Sequence, residues 1–180
     1  MITHPKKSAS LGIVLCIALI TQLNAQTGTT KLNVVLSSVL SITVNNATVS
    51  LNFSNLAAYQ NGVSTPQVAH LTLTSILPYT VSVRAASETM PGTVNTSSSI
   101  NASAVTITAP TGTNNDALPG KTLGSVASLS NSNQTLISGS YAVALPADVT
   151  YSIPQAKVSE VLGKPVDTYS VDLTYTISNP

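Results

Sequence analysis

Residues 168–180 read TYSVDLTYTISNP, and apolar and polar side chains alternate along them at almost every step. One row consists of Tyr169, Val171, Leu173, Tyr175 and Ile177, and the other of Ser170, Asp172, Thr174 and Thr176. A period of two puts successive side chains on opposite faces of a β-strand, so one row faces a core and the other faces water. The stretch therefore predicts a strand over residues 169–178 that closes this molecule's own sheet.

The same alternation opens the chain after residue 31 and changes phase at Asn45-Asn46. Even positions from 32 to 44 are mostly apolar, whereas the odd positions from 47 to 53 are apolar. A two-residue turn would pair residue 44 with residue 47 and put both apolar rows on one face, and asparagine tolerates the left-handed backbone of such a turn. We therefore predict a hairpin formed by residues 32–44 and 47–53.

Further strands are predicted throughout the rest of the chain. A second hairpin is expected from residues 69–75 and 79–85, with Pro78 at the connection. Other candidate strands are residues 102–108, 140–145 and 149–153, and only residues 154–162 have a helical pattern, which Gly163 ends. Many short strands at this spacing predict an all-β fold, an antiparallel two-sheet sandwich of immunoglobulin-like or pilin-like arrangement.

Residues 1–25 have the pattern of a signal peptide. Lys6 and Lys7 precede an apolar run at residues 11–20, and a short polar stretch leads to an alanine at position 25. The run is about half the length that a transmembrane helix needs, roughly 20 residues. The expected mature protein is a single β-sandwich domain of residues 26–180, secreted or at the cell surface, and periplasmic or outer-surface in a bacterium.

The charge balance argues against two classes of partner. The chain has seven Lys and Arg against six Asp and Glu, and removal of Lys6 and Lys7 with the signal peptide leaves five against six. Without a basic run, the counterion release that drives nucleic-acid binding has no source. Cys16 is the only cysteine and would also be removed, which leaves no thiol for a disulfide or a thiolate metal site. We expect no nucleic-acid partner and no membrane span after signal cleavage.

Residues 115–122 read NDALPGKT and resemble a phosphate-binding loop in which Asn115 replaces the first glycine. Such a loop needs a buried strand before it and a helix after it, and its lysine, here Lys121, reaches the phosphates. The residues that follow do not have a convincing helical pattern. We therefore interpret the segment as an ordinary surface loop and predict no cofactor.

The ionisable residues do not form a recognisable catalytic or metal-binding motif. His70 is the only histidine after residue 25, it has no G-x-S-x-G motif beside it, and its apolar neighbours predict an outward position on a strand. The acidic residues are dispersed, without the ligand spacing of a calcium loop. We predict no catalytic residue, no metal site and no enzyme. A hydrolase would require His70 or two carboxylates that folding brings together in a cleft.

The chain has six tyrosines, one phenylalanine and no tryptophan. Most of the tyrosines are in phase with inward apolar rows and are predicted to fill the core: Tyr79, Tyr141, Tyr151, Tyr169 and Tyr175. Tyr59 lies instead in the loop-like stretch of residues 54–66, and it is our candidate for an exposed ligand contact. A secreted carbohydrate-binding module, which presents aromatic rings to sugars, is therefore the alternative to a structural role.

Residues 164–178, KPVDTYSVDLTYTIS, resemble the closing segment of the spore coat U-like pilins of archaic chaperone-usher fimbriae. In those proteins a turn and a tyrosine precede a long, threonine-rich alternating strand. Residues 173–177 also resemble the end of WxL wall-binding domains, although Tyr175 stands where that family carries tryptophan. The resemblance implies an exported sandwich used in surface structures, and it implies no enzyme.

In pilin-like families the donated strand is an N-terminal extension, and the terminal strand belongs to the molecule's own sheet. The resemblance therefore implies that residues 31–36 can act as a donor, with Leu32, Val34 and Leu36 filling pockets of a neighbour. The other interpretation is that these residues form the first strand of a complete fold. We expect a structural or adhesive subunit of the bacterial surface, of fimbrial type, whose partners are copies of itself or other surface proteins, with polysaccharide as the partner under the alternative.

Overall fold

The structure is a computed structural model that describes residues 28–180, so the predicted signal peptide of residues 1–25 lies outside the described residues. The chain divides into two units, Met1–Leu36 and Ser37–Pro180. The described part of the first unit, residues 28–36, contains no helix or strand, and every one of its residues is exposed. The strand predicted from residue 32 therefore begins only at Leu40.

Within residues 28–180 the chain forms eleven strands: β1 (Leu40–Val44), β2 (Gly62–Ser75), β3 (Tyr79–Ala85), β4 (Thr89–Pro91), β5 (Ser99–Asn101), β6 (Thr106–Thr108), β7 (Thr122–Leu123), β8 (Ser125–Val126), β9 (Gln134–Gly139), β10 (Ala142–Pro154) and β11 (Leu173–Ser178). The helices are short: α1 (Leu56–Asn61), α2 (Thr113–Asp116), and two 3-10 segments at Ala102–Ala104 and Gln155–Glu160. This confirms the all-β class. The predicted helical stretch is present as a 3-10 helix.

The strands form two antiparallel sheets that enclose one core. The five-stranded sheet has the order β1-β2-β10-β6-β8 and the four-stranded sheet the order β11-β3-β9-β7, while β4 and β5 form a small separate ribbon. Leu71 and Leu73 of β2, Val81 and Val83 of β3, and Val149 of β10 are fully buried. Alternate residues of facing strands thus fill the interior, as an antiparallel sandwich requires.

The two sides of the sandwich differ. On one side the chain passes from β7 in the four-stranded sheet to β8 in the five-stranded sheet through Gly124. The Gly124 N–H donates to Leu136 O at 2.8 Å, and its carbonyl accepts from Ala109 N at 3.0 Å, so this residue bonds to both sheets. On the other side the sheets end at β1 and β11, which are not hydrogen-bonded to each other. One side is therefore closed by the backbone. On the other, which we call the open side, β1 and β11 lie near each other without hydrogen bonds between them.

Both predicted hairpins are wrong. β1 pairs with β2, with Leu40 opposite Ser75. Beyond Asn45 the chain continues along β2 instead of turning back, since Asn46 bonds to Gln67 and Ser50 O accepts from Thr65. The Asn45 N–H donates to His70 O at 2.8 Å, which prolongs this pairing beyond β1. β2 and β3 are consecutive, but they belong to different sheets. Alternation decides which side chains face the core, and it does not decide which strand lies alongside.

A bulge in β2 explains a further wrong prediction. Ala147 and Val149 of β10 lie opposite Leu71 and Gln67 of β2, so β2 has two extra residues here. Ala69 adopts a left-handed backbone with φ of 49°. A bulge re-aims the neighbouring side chain. His70, predicted to face outward, is instead only 2% exposed.

The remaining strand predictions are partly confirmed. The predicted strands at residues 140–145 and 149–153 are one long strand, β10, and residues 102–108 begin with a 3-10 turn. β11 pairs with β3 from Leu173 opposite Ala85 to Ser178 opposite Thr80, which confirms that the terminal strand closes this molecule's own sheet. The strand begins at Leu173 and not at Tyr169, where the alternation predicted its start. Tyr141, predicted to face inward, is exposed because it precedes β10 in the turn after β9.

Candidate functional site at the open side of the sandwich

The open side carries a cleft of about 290 Å³ between the edges of the two sheets. Within the described residues, neither β1 nor β11 has a strand on its outer side. The lining residues come from β1, β10, β11 and the segments that adjoin β1 and β11: Val44, Asn46, Ala47, Val49, Tyr151, Val171, Asp172, Leu173 and Tyr175. An unpaired sheet edge offers free backbone N–H and C=O groups to another extended chain.

Apolar side chains at this cleft are incompletely covered. Val44 on β1 is exposed, and Leu173 and Ile177 on β11 are only half-buried although they face the core. On the closed side the corresponding Ile107 and Val126 are buried. The core is thus least protected where the sheets are not joined, and an apolar segment that covered it would remove this surface from water.

Three hydrogen-bonding side chains connect the two sheets at the cleft. His70 of β2 and Tyr151 of β10 belong to the five-stranded sheet, and Tyr175 belongs to β11. The Tyr151 hydroxyl lies 2.7 Å from His70 Nε2 and 2.5 Å from the Tyr175 hydroxyl. The His70 ring also packs edge-on against both tyrosine rings, at centroid distances of 5.4 and 5.7 Å. We call these three residues the His-Tyr-Tyr cluster.

Burial keeps the His-Tyr-Tyr cluster neutral. Desolvation lowers the pKa of His70 and raises the pKa of Tyr151 to about 12. The pKa of Tyr175 is also raised, by desolvation first and then by the neighbouring Tyr151. Among the described residues the His70 Nδ1 atom has no hydrogen-bond partner. The cluster therefore links the sheets through uncharged hydrogen bonds, and only His70 can change its charge at moderately acidic pH.

Two acidic side chains of the described residues, Asp148 and Asp167, accept hydrogen bonds from backbone amides. Asp148 Oδ1 accepts from the Ala69 N–H and from Asn114 Nδ2, each at 2.7 Å. The Asp167 carboxylate accepts from three backbone amides, those of residues 94, 95 and 168. Across residues 28–180, no three His, Cys, Asp or Glu side chains come together in a way that could hold a metal ion.

The phosphate-loop-like segment of residues 115–122 does not have a P-loop's surroundings. α2 lies at its start, and it is followed by β7, where a P-loop would be followed by a helix. Lys121 pairs with Asp116 at 3.3 Å and donates to its carbonyl at 2.9 Å. The segment is a connecting turn between strands.

The candidate donor residues are exposed. Leu32 is 85% exposed, Val34 77% and Leu36 83%. Their stretch has no strand partner among the described residues. Aliphatic side chains are seldom presented to water in a row of this kind.

Tyr59 lies on α1, a helix with well-defined ends. Asn55 Oδ1 accepts from the Ala58 N–H at 2.9 Å, and Gly62 ends the helix with φ of 80°, where a Cβ would lie 2.3 Å from Ile153 O. The centroids of the Tyr59 and Phe53 rings are 5.1 Å apart, and Tyr59 is 39% exposed. A second, shallow cleft of about 480 Å³ lies beside α1, lined by Asn52, Asn55, Ala57, Ala58, Asn61, Gly62, Val63, Ser64 and Thr65.

Sequence reasoning missed the His-Tyr-Tyr cluster and the anchor around Asn115. Asn115 is fully buried and donates through Nδ2 to Pro110 O at 2.6 Å and Asp148 O at 2.9 Å, while its Oδ1 accepts from the Asp148 N–H. This anchor holds α2 against β10 beside the β2 bulge. The polar pair Asn114-Asn115 next to an acidic residue was its only sequence signal.

The chain matches no protein-family model, and it matches none of the curated proteins. Residues 28–180 contain no helix whose length and hydropathy would let it cross a membrane.

Proposed function

We propose that this protein is an exported, non-enzymatic structural or adhesive subunit of the bacterial cell surface, of fimbrial, pilin-like type. Its copies assemble when residues 31–36 of one copy insert as a strand at the open side of the next. The observation that carries the proposal is the row of exposed aliphatic residues, Leu32, Val34 and Leu36, in a stretch without a strand partner among the described residues. The open side of the sandwich has two features that such a strand would satisfy: unpaired strand edges and a partly apolar cleft.

The expected energetics favour an extended segment with alternating side chains. In a strand, residues two apart lie on the same face, so Leu32, Val34 and Leu36 would all face the cleft. Full burial of each aliphatic side chain contributes about 1.5–3 kcal/mol, while ordering each backbone residue costs about 1–2 kcal/mol. Hydrogen bonds to the free edge of β1 or β11 supply the remaining stabilisation.

The direct test is the association state of the mature protein with and without residues 26–36. We expect concentration-dependent oligomers from the complete mature chain in analytical ultracentrifugation, and monomers from the shortened chain. Concentration-independent monomers from both proteins would remove the assembly proposal.

A matched pair of substitutions tests the orientation of the donated strand. Val34 and Val35 are adjacent and similarly exposed, at 77% and 85%, but they point to opposite faces of a strand. Val34→Ser should weaken association about tenfold or more, which corresponds to the loss of about 1.4 kcal/mol. Val35→Ser, which keeps the Val34 plug, should have little effect. Equal effects of the two substitutions would contradict strand insertion.

We propose carbohydrate binding as the alternative function. Tyr59 offers part of an aromatic face, and the amide and hydroxyl side chains of Asn52, Asn61 and Ser64 line the neighbouring cleft. Sugars are commonly bound by such polar groups beside an aromatic ring. In a pull-down on insoluble polysaccharides, Tyr59→Ala should lose binding and Tyr141→Ala, a change at another exposed tyrosine, should keep it. Absence of binding by the unsubstituted protein would reject this alternative.

A further inference from the structure

A group of exposed apolar residues lies at the end of the five-stranded sheet where β1 and β10 begin. We call it the apolar end, and its members are Val39, Leu40, Ile76, Leu77, Tyr141 and Val143. Their exposed fractions range from 40% for Leu40 to 68% for Val143. Single exposed apolar residues are common on proteins, but a contiguous group usually marks a contact surface.

The strand register brings these residues together. Ser75 of β2 lies opposite Leu40 of β1 on one side and opposite Ala142 of β10 on the other. Adjacent strands are about 4.8 Å apart, so the start of β1, the end of β2 and the start of β10 lie side by side at one end of the sheet. Ile76 and Leu77 follow Ser75 directly, and Tyr141 and Val143 flank Ala142.

The three segments of the chain that form the apolar end have no charged side chain. Residues 37–44, 71–80 and 138–147 contain no Asp, Glu, Lys, Arg or His. The Lys121–Asp116 ion pair is close by, because the Ser140 N–H donates to Pro119 O at 2.8 Å. An uncharged centre with an exposed tyrosine and a charged margin is the composition of a protein–protein interface.

The short connection between residues 31–36 and β1 indicates which partner covers the apolar end. Only Ser37, Ser38 and Val39 connect the donor residues 31–36 to β1. The four steps from Leu36 to Leu40 span at most about 14 Å. If residues 31–36 lie in a neighbouring copy, the body of that copy must therefore lie within this distance of the first residue of β1.

We infer that the apolar end is the surface on which each subunit contacts the copy that receives its residues 31–36. This inference rests on the proposed function and adds a second interface to it. The contact buries Val39 and Val143 of the donor subunit, which lie on the outer face of the sheet, against the acceptor. The contact fixes the angle between successive subunits. The three-residue connection alone would leave this angle free.

The test compares two valine substitutions in the complete mature chain. Val143→Lys puts a charge in the apolar end, whereas Val166→Lys makes the same change at a fully exposed valine elsewhere. We expect Val143→Lys to raise the dissociation constant of the oligomer about tenfold or more, and Val166→Lys to leave it unchanged. Equal association of the two variants would overturn the inference and leave strand donation standing.

A labelled synthetic peptide of residues 28–36 separates the two interfaces. The peptide carries no subunit body, so it should bind the Val143→Lys chain as tightly as it binds the unsubstituted chain. Such binding also shows that the variant is folded. Weaker peptide binding by the variant would overturn the inference, because the substitution would then act on the acceptor cleft. Failure of the peptide to bind any chain, while whole chains still associate in a manner sensitive to Val143→Lys, would refute strand donation and support the apolar end as a self-contact.

A thiol probe gives an independent measurement. The mature chain would have no cysteine, so Val143→Cys introduces a single thiol. Its reaction with a maleimide should be several-fold slower in the oligomer than in the dilute monomer, whereas Val166→Cys should react equally in both. Equal reactivity of Val143→Cys in the two states would overturn the inference.

Discussion

Removal of single tyrosine hydroxyls should affect stability in an order set by the hydrogen bonds of the His-Tyr-Tyr cluster. Tyr151 occupies the middle of the cluster, and its hydroxyl bonds both His70 Nε2 and the Tyr175 hydroxyl. Tyr151→Phe therefore removes two hydrogen bonds and leaves His70 Nε2 unpaired in the core. The lost bond to Tyr175 costs about 0.5–1.5 kcal/mol and the unpaired His70 Nε2 about 1–3 kcal/mol, so we expect a loss of about 1.5–4.5 kcal/mol.

Two matched substitutions define the comparison. Tyr175→Phe removes one bond and leaves Tyr151 paired with His70, so it should cost only about 0.5–1.5 kcal/mol. Tyr79→Phe removes a buried hydroxyl that has no hydrogen-bond partner among the described residues. It should be neutral or slightly stabilising, because the folded state loses an unpaired polar group and keeps the ring.

Urea denaturation followed by circular dichroism measures these differences, with melting temperature as a check. For a domain of this size each kcal/mol lowers the melting temperature by about 2–4 °C. The double variant Tyr151→Phe/Tyr175→Phe should be less destabilised than the sum of its parts, because the two hydroxyls share one bond. The reasoning would be refuted if Tyr151→Phe were no more destabilising than Tyr175→Phe, or if Tyr79→Phe were as destabilising as Tyr151→Phe.

Three further changes test other parts of the structure. Burial lowers the pKa of His70 from 6.5, so its contribution to stability is complete above that pH and is lost as the pH falls towards the lowered value. His70→Gln should therefore flatten the pH dependence of the free energy of unfolding below pH 6.5, by at most about 1.4 kcal/mol per pH unit. Parallel pH profiles of the two proteins would contradict this. Gly139→Ala would place a Cβ 2.7 Å from the Tyr79 hydroxyl and 2.8 Å from its ring, and should cost about 1–3 kcal/mol of unfolding free energy. The hydrogen bond from the backbone amide of Asn95 is the main cause of the lowered pKa of Asp167. Above that pKa, Asp167→Asn should therefore speed hydrogen exchange of the amides at residues 94–95. Unchanged exchange would show that the carboxylate does not hold this turn.

The alternation of side chains was enough to predict the fold class. In β11, Leu173, Tyr175 and Ile177 face the core and the threonines between them face water, as the period of two requires. The row of aliphatic residues within residues 31–36 can also be read from the sequence, since it is a local property of the chain. These features depend on neighbours in sequence, and the sequence therefore determined them by itself.

The tertiary structure alone decided which strands are neighbours. The phase change at Asn45-Asn46 is compatible with a tight turn or with a chain that runs past a bulge, and only the pairing of β1 with β2 distinguishes them. The bulge at Ala69 turned His70 from the surface into the core, where Tyr151 and Tyr175 meet it from two other strands. The open side and the apolar end likewise exist because distant strands end together. Contacts between residues far apart in sequence depend on long-range packing, which a repeat of two residues does not encode.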